Sequence, residues 1–84
     1  MENLKSVNEM INQTKKIEEN NFNNLEHLTS MEILLTSNDY ARSKDPNISR
    51  TFYRLQEKAE DINTLTKELL SSLEDKTNNH ESIH

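Results

Sequence analysis

The last five residues, His80-Glu81-Ser82-Ile83-His84, match the pattern H-E-x-x-H. In zinc proteases this spacing places two imidazoles on one helical face, and the glutamate polarises a metal-bound water. Here no residue follows the second histidine to supply a third ligand, and the polar residues before it do not predict a cleft that excludes water. We therefore expect neither catalysis nor a metal site, and interpret the match as chance in a solvated tail.

Other groups that could catalyse a reaction are sparse. The chain has no cysteine and no glycine, which excludes thiolate chemistry and glycine-rich phosphate loops. His27 lies beside polar residues and outside the apolar pattern, so we predict a surface position for it. The carboxylate pairs Glu18-Glu19 and Glu60-Asp61 are also predicted to face solvent, without the enclosure that acid–base catalysis needs. The sequence predicts a protein that is not an enzyme and uses no cofactor.

One segment reverses the overall charge, which is −5. Residues 42–58 carry a local charge of +3, and three of their basic residues repeat every four positions on one helical face. A basic strip with aromatic neighbours can bind phosphates or an acidic protein surface, whereas the simpler interpretation is a solvated outer face. The candidate contacts to a partner or an anion are Arg42, Lys44, Arg50, Tyr53, Arg54 and Lys58.

The composition predicts an all-α protein. Glycine is absent, Pro46 is the only proline, and the long β-branched runs typical of buried strands are missing. No apolar run approaches the roughly 20 residues that span a bilayer, and the N-terminus lacks the apolar segment of a signal peptide. We therefore expect no membrane association and a cytoplasmic location. The abundance of Asn, Lys and Ile points weakly to a bacterium or a phage.

The first helix is predicted over residues 4–37. Its apolar register follows positions 7, 10, 14, 17, 21, 24, 28, 31 and 35. The asparagine-rich stretch Asn20–Asn24 interrupts the apolar residues, and asparagine is a poor residue for a helix interior. Because the register keeps its phase through this stretch, we favour one continuous helix. A break there, giving a three-helix bundle, is the alternative.

The second helix is predicted over residues 45–73, after a connector at residues 38–44. Asp45 can cap the first turn, and a proline loses nothing at the first helical position. The apolar residues of this helix then follow a heptad pattern typical of coiled coils from Ile48 to Leu73. Residues 74–84 are polar and aperiodic, which predicts a disordered tail.

Two amphipathic helices joined by a short connector predict an antiparallel hairpin that forms a single domain over residues 1–73. Only 31% of the residues are hydrophobic, so one hairpin buries too little to offset the conformational entropy lost on folding. We therefore expect a homodimer that packs as a four-helix bundle. The predicted oligomer seam consists of Leu28, Met31, Leu35, Ile48, Phe52, Leu55, Ala59, Ile62, Leu69 and Leu73.

These features favour a non-enzymatic protein–protein interaction module, a small acidic regulator, chaperone or inhibitor that binds a protein partner. The second hypothesis is a nucleic-acid-binding hairpin that uses the basic strip. Ile33 lies outside the main apolar stripe and is the best candidate for an exposed apolar contact. No motif identifies a family.

Overall fold

The computed structural model describes residues 4–37 and 45–82, with side chains up to Asn78. Helix α1 spans Leu4–Leu35 and helix α2 spans Pro46–Ser82. The helices pack side by side along their lengths in a hairpin that measures 65 × 17 × 16 Å. The predicted all-α antiparallel hairpin is confirmed.

Helix α1 is continuous through the asparagine-rich stretch, so the alternative of a break and a third helix is wrong. Asn21, in the middle of this stretch, is 9% exposed and faces α2. Its Nδ2 donates a hydrogen bond of 2.9 Å to Thr66 Oγ1. Because the amide has a partner across the hairpin, it does not compete for the backbone hydrogen bonds of its own helix.

Helix α1 ends in a short turn that occupies its last carbonyl groups. The Thr36 amide donates to the Glu32 carbonyl at 3.0 Å, and the Ser37 amide donates to the Leu34 carbonyl at 3.2 Å. The Thr36 and Ser37 hydroxyls donate to the same two carbonyls, at 2.9 and 2.8 Å. These bonds satisfy acceptors that a helix end leaves without intrahelical partners. The helix therefore stops two residues before its predicted end, and the predicted connector 38–44 lies outside the described residues.

Helix α2 starts where the sequence predicts. Asp45 Oδ1 accepts a hydrogen bond of 2.8 Å from the Asn47 amide, and the Asp45 carbonyl accepts the amides of Ile48 and Ser49. Pro46 occupies the first helical position, where a missing N–H costs nothing.

We expect Asp45→Ala to lower the free energy of unfolding by about 1 kcal/mol, because the amides of the first turn lose a side-chain acceptor. Urea unfolding followed by circular dichroism measures this loss. Asp45→Asn, which keeps an acceptor oxygen, is the control and should retain most of the stability. Equal losses in both variants would contradict the capping role.

The end of α2 lies beyond its predicted position. The helix continues past Leu73 to Ser82 and so includes most of the segment 74–84, for which the sequence predicts a disordered tail. Thr77 is half-buried at the next inward-facing position, and its Oγ1 donates to the Leu73 carbonyl at 3.3 Å. A polar residue occupies this heptad position, so the hydropathy pattern does not show that the helix continues.

The two helices meet along one seam, in which each residue is buried or half-buried and the positions advance by alternate steps of four and three. In α1 the seam consists of Val7, Ile11, Thr14, Glu18, Asn21, Leu25, Leu28, Glu32 and Leu35. In α2 it consists of Ser49, Phe52, Gln56, Ala59, Asn63, Thr66, Leu70, Leu73 and Thr77.

The core of the hairpin is divided in two by a polar middle. Val7, Ile11 and Leu73 form one apolar cluster near the open end. A second cluster near the connector consists of Leu28, Leu35 and Phe52, with Leu25 and Ala59 packed against it. The Asn21–Thr66 hydrogen bond lies between the clusters. Because this pair bonds only when the two residues are level, it selects one register of the helices.

Candidate functional site

The residues that most resemble metal-binding groups, those of the H-E-x-x-H pattern, lie outside the described side chains. Among the side chains that the structure describes, no group of three His, Asp or Glu is placed to hold a metal ion. Glu18, half-buried, contributes to an ion pair with Lys67 at 3.8 Å. His27 is exposed on α1, as predicted.

Neither described helix contains a stretch that is long and apolar enough to cross a membrane.

The part of the basic strip that the structure describes lies on the exposed surface of α2. Arg50, Arg54 and Lys58 are all exposed, and Arg50 Nη1 donates a hydrogen bond of 2.9 Å to Asn47 Oδ1 one turn earlier. Arg42 and Lys44 lie outside the described residues. Tyr53 is 42% exposed, and its ring meets the Phe52 ring edge to face, with centroids 5.1 Å apart. Binding of an anion or a nucleic acid by this strip stays a prediction.

The predicted oligomer seam separates into two sets. One half lies between the two helices of one chain and consists of Leu28, Leu35, Phe52, Ala59 and Leu73. The other half points away from that contact and consists of Met31, Ile48, Leu55, Ile62 and Leu69, which are 45–53% exposed. The apolar stripe of each helix is therefore wider than the surface that one neighbouring helix covers.

The outward-pointing set belongs to a continuous surface, which we call the apolar face. Three shallow grooves follow it along the hairpin, and each is lined by residues of both helices. Met31 lies across from Ile48 and Leu55, Asn24 across from Leu55 and Ile62, and Met10 across from Leu69. Ile17 has the same heptad position as Met10 and is 46% exposed. The apolar face consists of Met10, Ile17, Asn24, Met31, Ile48, Leu55, Ile62 and Leu69.

Charge is almost absent from the apolar face and its borders, although 30% of the chain is charged. The bordering helical positions are Ser6, Gln13, Asn20, His27 and Leu34 in α1, and Thr51, Lys58, Leu65 and Ser72 in α2. Lys58 is the only Lys, Arg, Asp or Glu among these described positions, and Glu9 and Lys76 lie at the end of the face near Met10. The opposite side of the hairpin carries Lys5, Lys15, Glu19 and Glu26 from α1, and Arg50, Glu57, Glu60, Lys67 and Glu74 from α2. This asymmetry is typical of a surface that another protein covers.

Each helix has two sides that could form the hairpin contact, and the contact uses the more polar of the two. Successive residues of a helix are about 100° apart around its axis. Each central residue of the seam, such as Leu28, therefore has another seam residue about 40° to one side and a residue of the apolar face about 60° to the other side. On the seam side these neighbours include Glu18, Glu32 and Gln56, whereas on the other side they are apolar except for Asn24 and, at the end of the stripe, Lys76. A helix whose apolar stripe extends to both sides has the pattern of a helix with two neighbours, as in a four-helix bundle. The sequence pattern indicates the stripe, but not which part the hairpin covers.

The opposite side also displays a few large apolar groups. Phe22 is 61% exposed in a groove with Lys15, Glu19 and Lys67. Ile33 is 66% exposed, in agreement with its predicted exposure. These residues are separated by charged side chains and do not form a continuous surface.

A comparison of the chain with protein-family models, with curated proteins and with solved structures finds no match.

Proposed function

We propose that this protein is a non-enzymatic interaction module that pairs with a second copy through the apolar face and regulates, chaperones or inhibits another protein by binding it. The observation that supports this proposal is the continuous, nearly uncharged apolar face. Its seven apolar side chains are each about half exposed, so their own hairpin covers only one side of them. A second pair of helices would cover the other side and complete a four-helix bundle.

The dimensions of the apolar face are close to those of a stable contact. Its layers from Met10 to Ile48 extend over about 42 Å of the 65 Å hairpin, so with a width of 17 Å the face presents on the order of 700 Å² per chain. Stable protein–protein interfaces bury roughly 800 Å² on each partner. The hairpin alone lacks any side chain that is less than 2% exposed among the described residues, which is the condition that oligomerisation relieves in small proteins.

The mass of the protein in solution tests the first part of this proposal. Size-exclusion chromatography with light scattering should give about twice the chain mass of 9.9 kDa at micromolar concentration. Circular dichroism on the same samples should show helicity that falls on dilution, because folding and association are coupled. A fully helical monomer at that concentration would contradict the dimer.

The second part of the proposal concerns the protein partner. Once the apolar face is covered, the exposed apolar residues that remain are on the other side, with Phe22, Ile33 and Tyr53 as the main candidates for a contact. Aromatic side chains surrounded by charges are frequent anchors of protein interfaces. A pull-down from the host should lose the partner when Phe22 and Tyr53 are replaced by serine. Retention by that variant and loss by a variant of the apolar face would show that the partner, and not a second copy, occupies the apolar face.

A further inference from the structure

We infer that the second copy lies antiparallel to the first across the apolar face, with the connectors at opposite ends. The two-fold axis crosses the hairpin at the level of Asn24 and Ile62, so that each of these two residues meets its own copy. In this arrangement α1 packs on α1 of the other copy, and α2 packs on α2. The inference rests on the proposed function, because it names the occupant and the geometry of the same surface.

The spacing of the apolar face has a centre of symmetry. Asn21 and Thr66 are level across the hairpin, so Asn24 is level with Asn63 and lies beside Ile62. The other layers follow at intervals of seven residues, or about 10.5 Å. Ile17 with Leu69 lies on one side of the Asn24 layer and Met31 with Leu55 on the other. The outermost layers are those of Met10, which is level with Lys76, and of Ile48. A two-fold axis through the central layer brings each inner layer against the corresponding apolar layer.

The polar residue at the centre favours this axis. Asn24 is the one polar residue of the apolar face and becomes buried when the face is covered. Antiparallel pairing places it opposite Asn24 of the partner subunit, where the two amides can hydrogen-bond to each other. With both connectors at the same end, Asn24 would instead meet Ile62 of the partner subunit. A buried amide without a partner costs about 1–3 kcal/mol, which disfavours that arrangement.

Cysteine crosslinking of the full chain distinguishes the possible arrangements, because the sequence contains no cysteine. Asn24→Cys and Ile62→Cys should each form disulfide-linked dimers under mild oxidation, since each residue meets its own copy at the axis. Ile17→Cys alone should not crosslink, but an equimolar mixture of Ile17→Cys and Met31→Cys should. Thr29→Cys, exposed on the charged side, is the matched control and should stay monomeric on a non-reducing gel. Circular dichroism shows that each variant remains helical.

Two other patterns would overturn the inference and leave the dimer in place. Crosslinking that appears only when Asn24→Cys is mixed with Ile62→Cys would show that the connectors lie at the same end. A dimeric mass with no crosslink in either pattern would place the axis elsewhere. A monomeric mass without crosslinks would overturn the proposed dimer itself. The Ile62→Cys variant keeps the Asn24 amide, which the Asn24→Cys variant lacks. A comparison of these two variants therefore shows whether a crosslinking result depends on the loss of that amide.

Discussion

Replacement of Leu55 and Ile62 by glutamate should weaken dimerisation by about 10³-fold in Kd. Both side chains lie on the apolar face and are 53% and 52% exposed in the single chain. Covering the exposed half of each contributes about 1 kcal/mol, and two-fold symmetry makes four such side chains per dimer. The sum of about 4 kcal/mol corresponds to this factor, and the burial of glutamate weakens the dimer further. Sedimentation equilibrium measures the change in Kd.

A variant of the opposite side provides the control. Ile33 and Tyr53 are also large and exposed, at 66% and 42%, but they lie off the apolar face. The Ile33→Glu/Tyr53→Glu variant should therefore keep the dimeric mass. If this control dissociates while Leu55→Glu/Ile62→Glu stays dimeric, the interface lies on the charged side of the hairpin. If both variants dissociate, a general loss of stability explains the result, and the apolar face is not the specific contact.

The second large effect is expected at the polar middle of the hairpin. Thr66→Val removes the acceptor of the Asn21 amide and should lower the free energy of unfolding by about 1–3 kcal/mol, because a buried donor is left without a partner. The double variant Asn21→Leu/Thr66→Val removes both partners. Replacement of a buried polar pair by apolar groups of similar shape is nearly neutral or stabilising, so the double variant should be at least as stable as the unmodified protein.

Urea unfolding at one fixed protein concentration measures these differences, because the stability of a dimer depends on concentration. Thr29→Val is the matched control. Thr29 is exposed, and its Oγ1 bonds to the Leu25 carbonyl at 3.0 Å, as Thr66 Oγ1 bonds to the Ile62 carbonyl at 2.7 Å. It therefore reports the loss of the bond within the helix alone. An equal loss in the two single variants, or a double variant as unstable as Thr66→Val, would contradict the role of the Asn21–Thr66 pair.

Local chemistry is enough to predict the helices and the start of α2. The lack of glycine favours helix, and Asp45 with Pro46 marks the first turn of α2 because side-chain capping depends on neighbouring residues only. The apolar register predicts that α1 continues through Asn20–Asn24, whereas the hydrogen bond that pairs Asn21 with the distant Thr66 appears only in the packed structure. The end of α2 is not evident from hydropathy, because polar residues such as Thr77 continue its pattern.

The amino-acid order determines that each helix has an apolar stripe with a heptad period, and hence that two helices of this chain associate side by side. Only the packed structure decides how that stripe is divided. The contact between α1 and α2 includes the polar residues Glu18, Glu32 and Gln56, while apolar residues such as Leu55 and Ile62 stay half exposed. Hydropathy measures how apolar a position is, but not which neighbour covers it. That choice depends on the rotation of the whole helix, which the level pairing of Asn21 with Thr66 and the fit of both apolar clusters determine together.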